Sequence, residues 1–381
     1  MKKLKYVIML IALFLALPAA LGAAWTTKRL TNNAGWSSGS SIAASNENVY
    51  VAWADSTSGN NEIYFRKSSD GGSTWQSSQM ITNNAGHSQI PVLAASGQTI
   101  YVVWDDDSPG NREIYFNKST DGGSTWQTAK QLTNNIGYSY RSQIAISNDI
   151  VYVAWTDDTS GHNEIYFRKS TDRGATWQSA KRITNHACNS NSPALAVNGE
   201  NVYVMYCSDA SGNNEIYFKK SADSGATWLT AKRLTNNAGI SVTQNKSMAA
   251  NGANIYVVWR DETPGNMEVY FKKSTNRGET WHNSKRLTTN AGESSLPVIA
   301  SSGANIYVVW MDGTPGNSEI YLKKSTDNGS NWQASQRVTA NSGNSFWPAV
   351  ALNSATIFVT WSDDYQTPGS CEVYLKYSPL F

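Results

Sequence analysis

Residues Ser119-Thr-Asp-Gly-Gly-Ser-Thr-Trp126 decide how this chain folds. The pattern Ser-x-Asp-x-Gly-x-Thr-Trp starts again, with small departures, at Ser68, Ser170, Ser221, Ser274 and Ser325. Asp121 can accept hydrogen bonds from the amides of its own turn, and Gly123 can supply a positive φ. Trp126 is a large apolar plug. In the fifth copy Asn276 replaces the aspartate and keeps the acceptor, and in the sixth Asn331 replaces the threonine.

Upstream of each turn lies Glu-Ile/Val-Tyr, and upstream of that an apolar segment. The apolar segments are Val49–Trp53, Ile100–Trp104, Val151–Trp155, Val202–Tyr206, Ile255–Trp259, Ile306–Trp310 and Ile357–Trp361. Their terminal aromatics recur every 51 residues, except for a 53-residue step from Tyr206 to Trp259 that carries a small insertion near Val242–Lys246. The segments are short, β-branched and bounded by Gly, Asn and Asp, which predicts strands. Four strands fit each repeat. In the second copy they are Ile90–Ala95 (A), Ile100–Asp105 (B), Glu113–Ser119 (C) and Thr125–Leu132 (D).

Seven units of four antiparallel strands predict an all-β, seven-bladed β-propeller. Trp25–Thr31 copies a strand D, as in Trp177–Thr184, whereas the last repeat stops after its strand C at Tyr374–Tyr377. The N-terminal strand is therefore expected to complete the last blade and close the ring. The domain reading is a signal peptide over 1–22, then a single propeller over 23–381. The signal is read from Lys2, Lys3 and Lys5, the apolar run Tyr6–Leu17 and the small-residue stretch after Pro18.

That start predicts a secreted, periplasmic or cell-surface protein with no membrane span, since no later stretch is long and apolar enough. Of 31 basic and 29 acidic residues, three lysines lie in the signal, leaving 28 against 29 and a net charge of −1. Such a balance gives no electrostatic pull towards nucleic acid. Export permits disulfides. Cys188 and Cys207 fall at the two ends of one predicted hairpin, so a pairing between them is one reading and three free thiols, with Cys371, the other. The spacing holds no zinc pattern.

The turn resembles the Asp-box, or bacterial neuraminidase repeat, of sialidase-like propellers. The resemblance implies that the boxes lie away from the ligand face. Asp70, Asp121, Asp172, Asp223, Asn276 and Asp327, with Trp75, Trp126, Trp177, Trp228, Trp281 and Trp332, are then structural. One carboxylate per turn is too few for a calcium site, and neither metal nor cofactor is expected. Sialidases hold a carboxylate with three arginines, the first in an Arg-Ile-Pro motif, and also use a Tyr–Glu nucleophile pair and an Asp acid/base. Here the closest match is Gln89-Ile90-Pro91, which lacks the charge and the bidentate fork. Arg182, Arg233, Arg286 and Arg337 share one strand D position and read as a solvated outer edge. The glutamates that open each strand C, Glu62 to Glu372, and the paired acids of the B–C turns repeat too regularly for one asymmetric catalytic pair. No catalytic residue is assigned, and the reading leans away from an enzyme.

Ligand contacts are sought where the copies differ. In the D–A loop template Thr-Asn-Asn-Ala-Gly-x-Ser, the variable position reads Trp36, His87, Tyr138, Asn189, Ile240, Glu293 and Asn344. Gln89, Tyr140 with Arg141, Asn191, Asn245 with Lys246, Leu296, and Phe346 with Trp347 follow a few residues later. Of 15 tryptophans, only Trp36 and Trp347 have no repeated role, and they fall in neighbouring blades across the closure. Aromatics flanked by amides and hydroxyls suit sugars. The candidate ligand residues are Trp36, Phe346, Trp347, His87, Gln89, Tyr138, Tyr140 and Arg141. The expected role is binding of a glycan, cell-surface glycoconjugate or surface partner without catalysis. The alternatives are a divergent exo-glycosidase of sialidase type and a protein-interaction platform, and the sequence leaves oligomeric state open.

Overall fold

A computed structural model describes residues 25–365 and 370–380 of the chain. The signal-peptide reading lies outside the described residues. Those residues form seven antiparallel sheets and no helix. In blade 2 the strands are Ser88–Ser96 (A), Thr99–Asp106 (B), Glu113–Ser119 (C) and Lys130–Gln131 (D). Strand D is thus much shorter than the sequence suggests, because the chain leaving each Asp-box makes a backbone bond to strand C (Gln127 N to Lys118 O, 3.1 Å) and rejoins the ladder only beside the strand C tyrosine. Blades 1 and 3 to 6 repeat this meander.

The seventh blade takes its outer strand from the N-terminus. Thr26–Arg29 pairs antiparallel with Glu372–Pro379, in the register Thr26↔Tyr377 to Arg29↔Tyr374. Leu30 N donates to Val373 O (2.8 Å), and Val373 N to Thr31 Oγ1 (2.8 Å). First and last strands therefore share one ladder, and that ladder closes the ring.

Blades touch through aromatic pairs. The strand C phenylalanine of one blade meets the Asp-box tryptophan of the next edge-on, as in Phe65–Trp126 (5.2 Å) and Phe116–Trp177 (5.0 Å). A Cβ at Gly123 would lie 2.3 Å from Phe65 Cε1, so the box glycine is required by the neighbouring blade as well as by its φ of 87°. The box aspartate stays within its turn: Asp121 accepts from Thr125 N (2.9 Å), Thr125 Oγ1 (2.6 Å) and Ser119 Oγ (2.7 Å).

The B–C turn acids are also structural. Asp106 is buried and accepts from Trp104 Nε1 (2.9 Å), Ser88 Oγ (2.8 Å) and Asn84 Nδ2 (3.0 Å). Asp55, Asp157, Asp261, Asp312 and Asp363 take the same bond from their own tryptophans. Burial works against the Asp106 charge, but the bonds from Ser108, Trp104 and Ser88 outweigh it and hold the pKa below the usual range. Blade 4 changes its members together: Tyr206, Ser208 and His186 stand where the others have Trp, Asp and Asn.

The strand D arginines correct the sequence reading, since they are not a free solvated edge. Arg182, Arg233, Arg286 and Arg337 each bond the fully buried glutamate that opens strand C, at 2.6–2.9 Å. Arg29 does the same for Glu372 across the closure (2.8 Å). Met80 and Gln131 occupy this position in blades 1 and 2. Glu62 and Glu113 have no arginine partner among the described ion pairs.

The proposed Cys188–Cys207 bridge is not formed, and all three cysteines are free thiols. The strand register sets Asn191, not Cys188, opposite Cys207, whose Sγ donates to Asn191 O (3.4 Å). Cys371 is buried under the closure, and burial pushes its thiol up to about 12. Cys207 is pushed up for the same reason.

Two outcomes follow from this packing. Met80→Arg and Gln131→Arg supply the missing guanidinium and are expected to add about 1 kcal/mol each. Calorimetry should read this as a rise of roughly 2 °C in Tm, and an unchanged or lowered Tm would show that the arginines are neutral ornaments of the edge. Brief iodoacetamide treatment of the folded protein at pH 8 should modify Cys188 well before Cys207 or Cys371, as read by peptide mass spectrometry.

Candidate ligand-binding cavity

Strand A starts beside the end of strand B in every blade, so the D–A and B–C loops share one face. Just inside that face each strand A is interrupted. Its register slips between Ser38 and Ser41, Gln89 and Val92, Tyr140 and Gln143, Asn191 and Ala194, Ser295 and Val298, and Phe346 and Ala349. These are β-bulges, which re-aim side chains. At their centres Gly39, Ile90, Arg141, Ser192, Leu296 and Trp347 have φ of 52–64°. Four of them precede a proline, which has no N–H to lose where the ladder is broken. Only Gly39 holds this conformation without steric cost.

In blade 5 the insertion replaces the bulge. Strand A splits into Ser241–Val242 and Met248–Asn251, and the segment between them enters the central channel. Lys246 has φ 57° and completes the ring of left-handed residues. Its Nζ donates to Ile42 O of blade 1 (2.9 Å), and its backbone N donates to Gln143 Oε1 of blade 3 (3.3 Å). Its carbonyl accepts from Ile299 N of blade 6 (3.1 Å). One short segment is thereby tied to three other blades, and it plugs the channel.

Above the plug lies a cavity of about 390 Å³. Its walls carry the amides of Asn61, Gln89, Gln244 and Asn245, the hydroxyls of several serines, the cations of Arg141 and Lys246, and the ring of Trp347. Among the described residues no aspartate or glutamate lines it. Burial pulls the Lys246 ammonium down to about 8. Among the described residues no cluster of His, Cys, Asp and Glu is placed to hold a metal ion.

Gln89, Arg141 and Trp347, of the eight residues singled out from sequence, line the cavity. Phe346 meets Trp347 edge-on (4.9 Å) and stacks at 6.4 Å on Trp36, so the three make one aromatic cluster at the rim. Trp36 and Trp347 remain 40% and 44% exposed, enough open face to receive a ligand. Tyr140 is tethered through its hydroxyl to Asn163 Oδ1 (2.9 Å). His87 and Tyr138 stand apart on the loops, where their backbone N–H groups donate to Asp107 and Asp158 (both 2.6 Å).

Sequence reasoning placed Lys246 among the variable positions of the loop face but not among the candidate ligand residues, and it missed Asp105. Asp105 is buried behind the wall and accepts from Arg141 N of the next blade (2.9 Å). Burial raises its carboxyl to about 7, against the opposing pull of the Arg141 amide and Arg112. A signal for both existed. The 53-residue step marks the Lys246 segment. The residue after the strand B aromatic varies around the ring as Ala54, Asp105, Thr156, Cys207, Arg260, Met311 and Ser362, while its flanks repeat.

The sequence profile of the BNR repeat-like domain matches residues 151–366. The chain belongs to this family. No curated protein matches it in sequence. Among solved structures, the BNR propeller is similar to the polysaccharide lyase Uly1, with TM-score 0.60 and 10% identity over 90% of each chain. It is similar to a protein of unknown function from Dyadobacter fermentans, with TM-score 0.55 and 14% identity over 93% of this chain and 99% of that one. It also resembles the GH93 α-L-arabinofuranosidase of Fusarium graminearum in complex with arabinobiose, with TM-score 0.53 and 14% identity over 76% and 93%. At such identities the likeness extends to the fold alone.

The buried Asp105 carboxyl binds its proton more tightly in the BNR propeller than in the unfolded chain. It therefore favours the fold at low pH, and that contribution is lost as pH rises from about 4 to about 7. Asp105→Asn keeps an acceptor for the Arg141 amide and removes the charge. The variant should gain more stability at pH 8 than at pH 5 in chemical denaturation, and an equal change at both would place the Asp105 titration elsewhere.

Proposed function

We propose that this protein is an exported, non-catalytic BNR propeller that binds carbohydrate on the face bearing the D–A and B–C loops. The observation that carries the reading is the cavity itself. Amides and hydroxyls converge on a concave site, and a partly exposed tryptophan continues outward into an aromatic cluster. Amides and hydroxyls pair with sugar hydroxyls, and aromatic rings stack on the apolar C–H face of a pyranose. A polysaccharide lyase and an arabinofuranosidase bound to arabinobiose on the same scaffold weigh in this direction.

The repeated carboxylates do not supply a catalytic pair in this reading. The B–C aspartates are committed to tryptophan and serine, and the strand C glutamates to arginine or turn amides. A divergent glycosidase is the second reading, and it rests on Asp105. A carboxyl titrating near neutrality suits a general acid, but Asp105 is buried behind the wall and has no second carboxylate on the cavity.

A glycan array with the purified protein tests the proposal, with the double variant Trp36→Ala/Trp347→Ala alongside. Binding by the wild type that falls at least about tenfold in the variant is the expected result. Turnover of the bound glycan, abolished by Asp105→Asn, would favour the glycosidase. Absence of any glycan binding by folded protein would move the assignment to a protein-interaction surface, for which Ile136 and Tyr138 are exposed on the same face.

A further inference from the structure

The Lys246 plug departs from the strand A bulge that the other blades repeat. A neutral side chain could fill the channel with no charge to desolvate. Instead the chain spends two extra residues to bring an ammonium beneath the cavity. That ammonium has three donors, and its described bond is to one neutral carbonyl, Ile42 O. Among the described residues no ion pair to Lys246 occurs and no carboxylate lines the cavity above it. Lys246 is half-buried, and a partly desolvated cation without a counter-charge is costly. Its retention is explained if the counter-charge arrives with the ligand.

Arg141 supports the same reading from blade 3. It occupies the bulge centre at φ 55°, where a glycine would be unstrained. Its Nη1 donates to Ser192 Oγ, a neutral partner, and its backbone N is held by Asp105. Asp105 offsets part of the Arg141 charge from behind the wall, but does not line the cavity. The open side of the site therefore presents two cations and no acid. Trp347 also lines the cavity, and Phe346 and Trp36 lead away from it across the seam between blades 7 and 1.

We infer that the cavity takes an acidic oligosaccharide, with a carboxylate or sulfate group held by Lys246 and Arg141 and a following sugar unit laid on the aromatic seam. The inference rests on the carbohydrate reading and narrows it to a charged chain. The charge sets the choice between acidic and neutral glycans. The seam sets a minimum length, because one unit in the cavity cannot also cover Phe346 and Trp36.

Calorimetric titration tests this with three probe series of one to four units: galacturonate oligomers, sulfated galactose oligomers and neutral galactose oligomers. The expected result is preference for one acidic series over the neutral one by about tenfold or more, with affinity rising from one unit to two or three. The series that binds identifies the group as carboxylate or sulfate. Lys246→Met and Arg141→Gln should each remove most of the preference, and Lys246→Arg should retain it. Added salt should weaken acidic-probe binding by the wild type and much less by Lys246→Met. The salt series on the wild type stands even if a variant misfolds. Equal affinity for neutral and acidic oligomers overturns this inference and leaves carbohydrate binding intact, and no binding to any series overturns this inference while the glycan array decides carbohydrate binding.

Discussion

A carboxylate removed from water at the end of strand B organises each blade but one. It receives the indole of its own strand, the hydroxyl that opens strand A and the side-chain amide of the D–A loop. Three segments distant in sequence are fixed against one another by charge-assisted hydrogen bonds, which are strong where water is excluded. The loops that rim the cavity are therefore anchored at their roots, and their variable tips can change without loss of the fold. Blade 4 supports this view, since Trp, Asp and Asn give way together to Tyr, Ser and His. A single replacement would leave a buried polar group without its partner.

The two ends of each blade divide the work. At one end the Asp-box closes on itself and sends its tryptophan against the preceding blade. At the other, six bulges and the split of blade 5 turn seven residues into the left-handed region around the channel. Six of these are not glycine, so the conformation is imposed by the surrounding ladder rather than by local preference. The side chains placed there, among them Arg141, Lys246 and Trp347, differ from blade to blade. A symmetric scaffold thereby carries an asymmetric site, and the asymmetry is greatest where blade 5 abandons the bulge and plugs the channel.

Much of the fold was legible because periodicity is a property of the chain itself. The 51-residue spacing, the six boxes and the strand D copy at the N-terminus lead to seven blades and their closure without any contact being known. The rim aromatics were legible for a related reason, as they break a pattern their neighbours keep. The strand D arginines were misread. Their regular spacing is what a solvated edge and a row of ion pairs have in common, and only the cross-strand partner distinguishes them. The Cys188–Cys207 pairing failed because Cys188 lies three residues from Asn191, the residue opposite Cys207, and such a register difference moves a side chain out of reach.

The sequence by itself determined the number of blades, the spacing of the boxes and the positions at which the copies differ, since these depend on repetition and alternation along the chain. Only the tertiary structure decided which variable positions meet. Gln89, Arg141, Lys246 and Trp347 come from four blades and are separated by up to 258 residues, yet they line one cavity. Their meeting depends on ring closure and on where a split strand sends a lysine. Those are long-range constraints that no local pattern encodes.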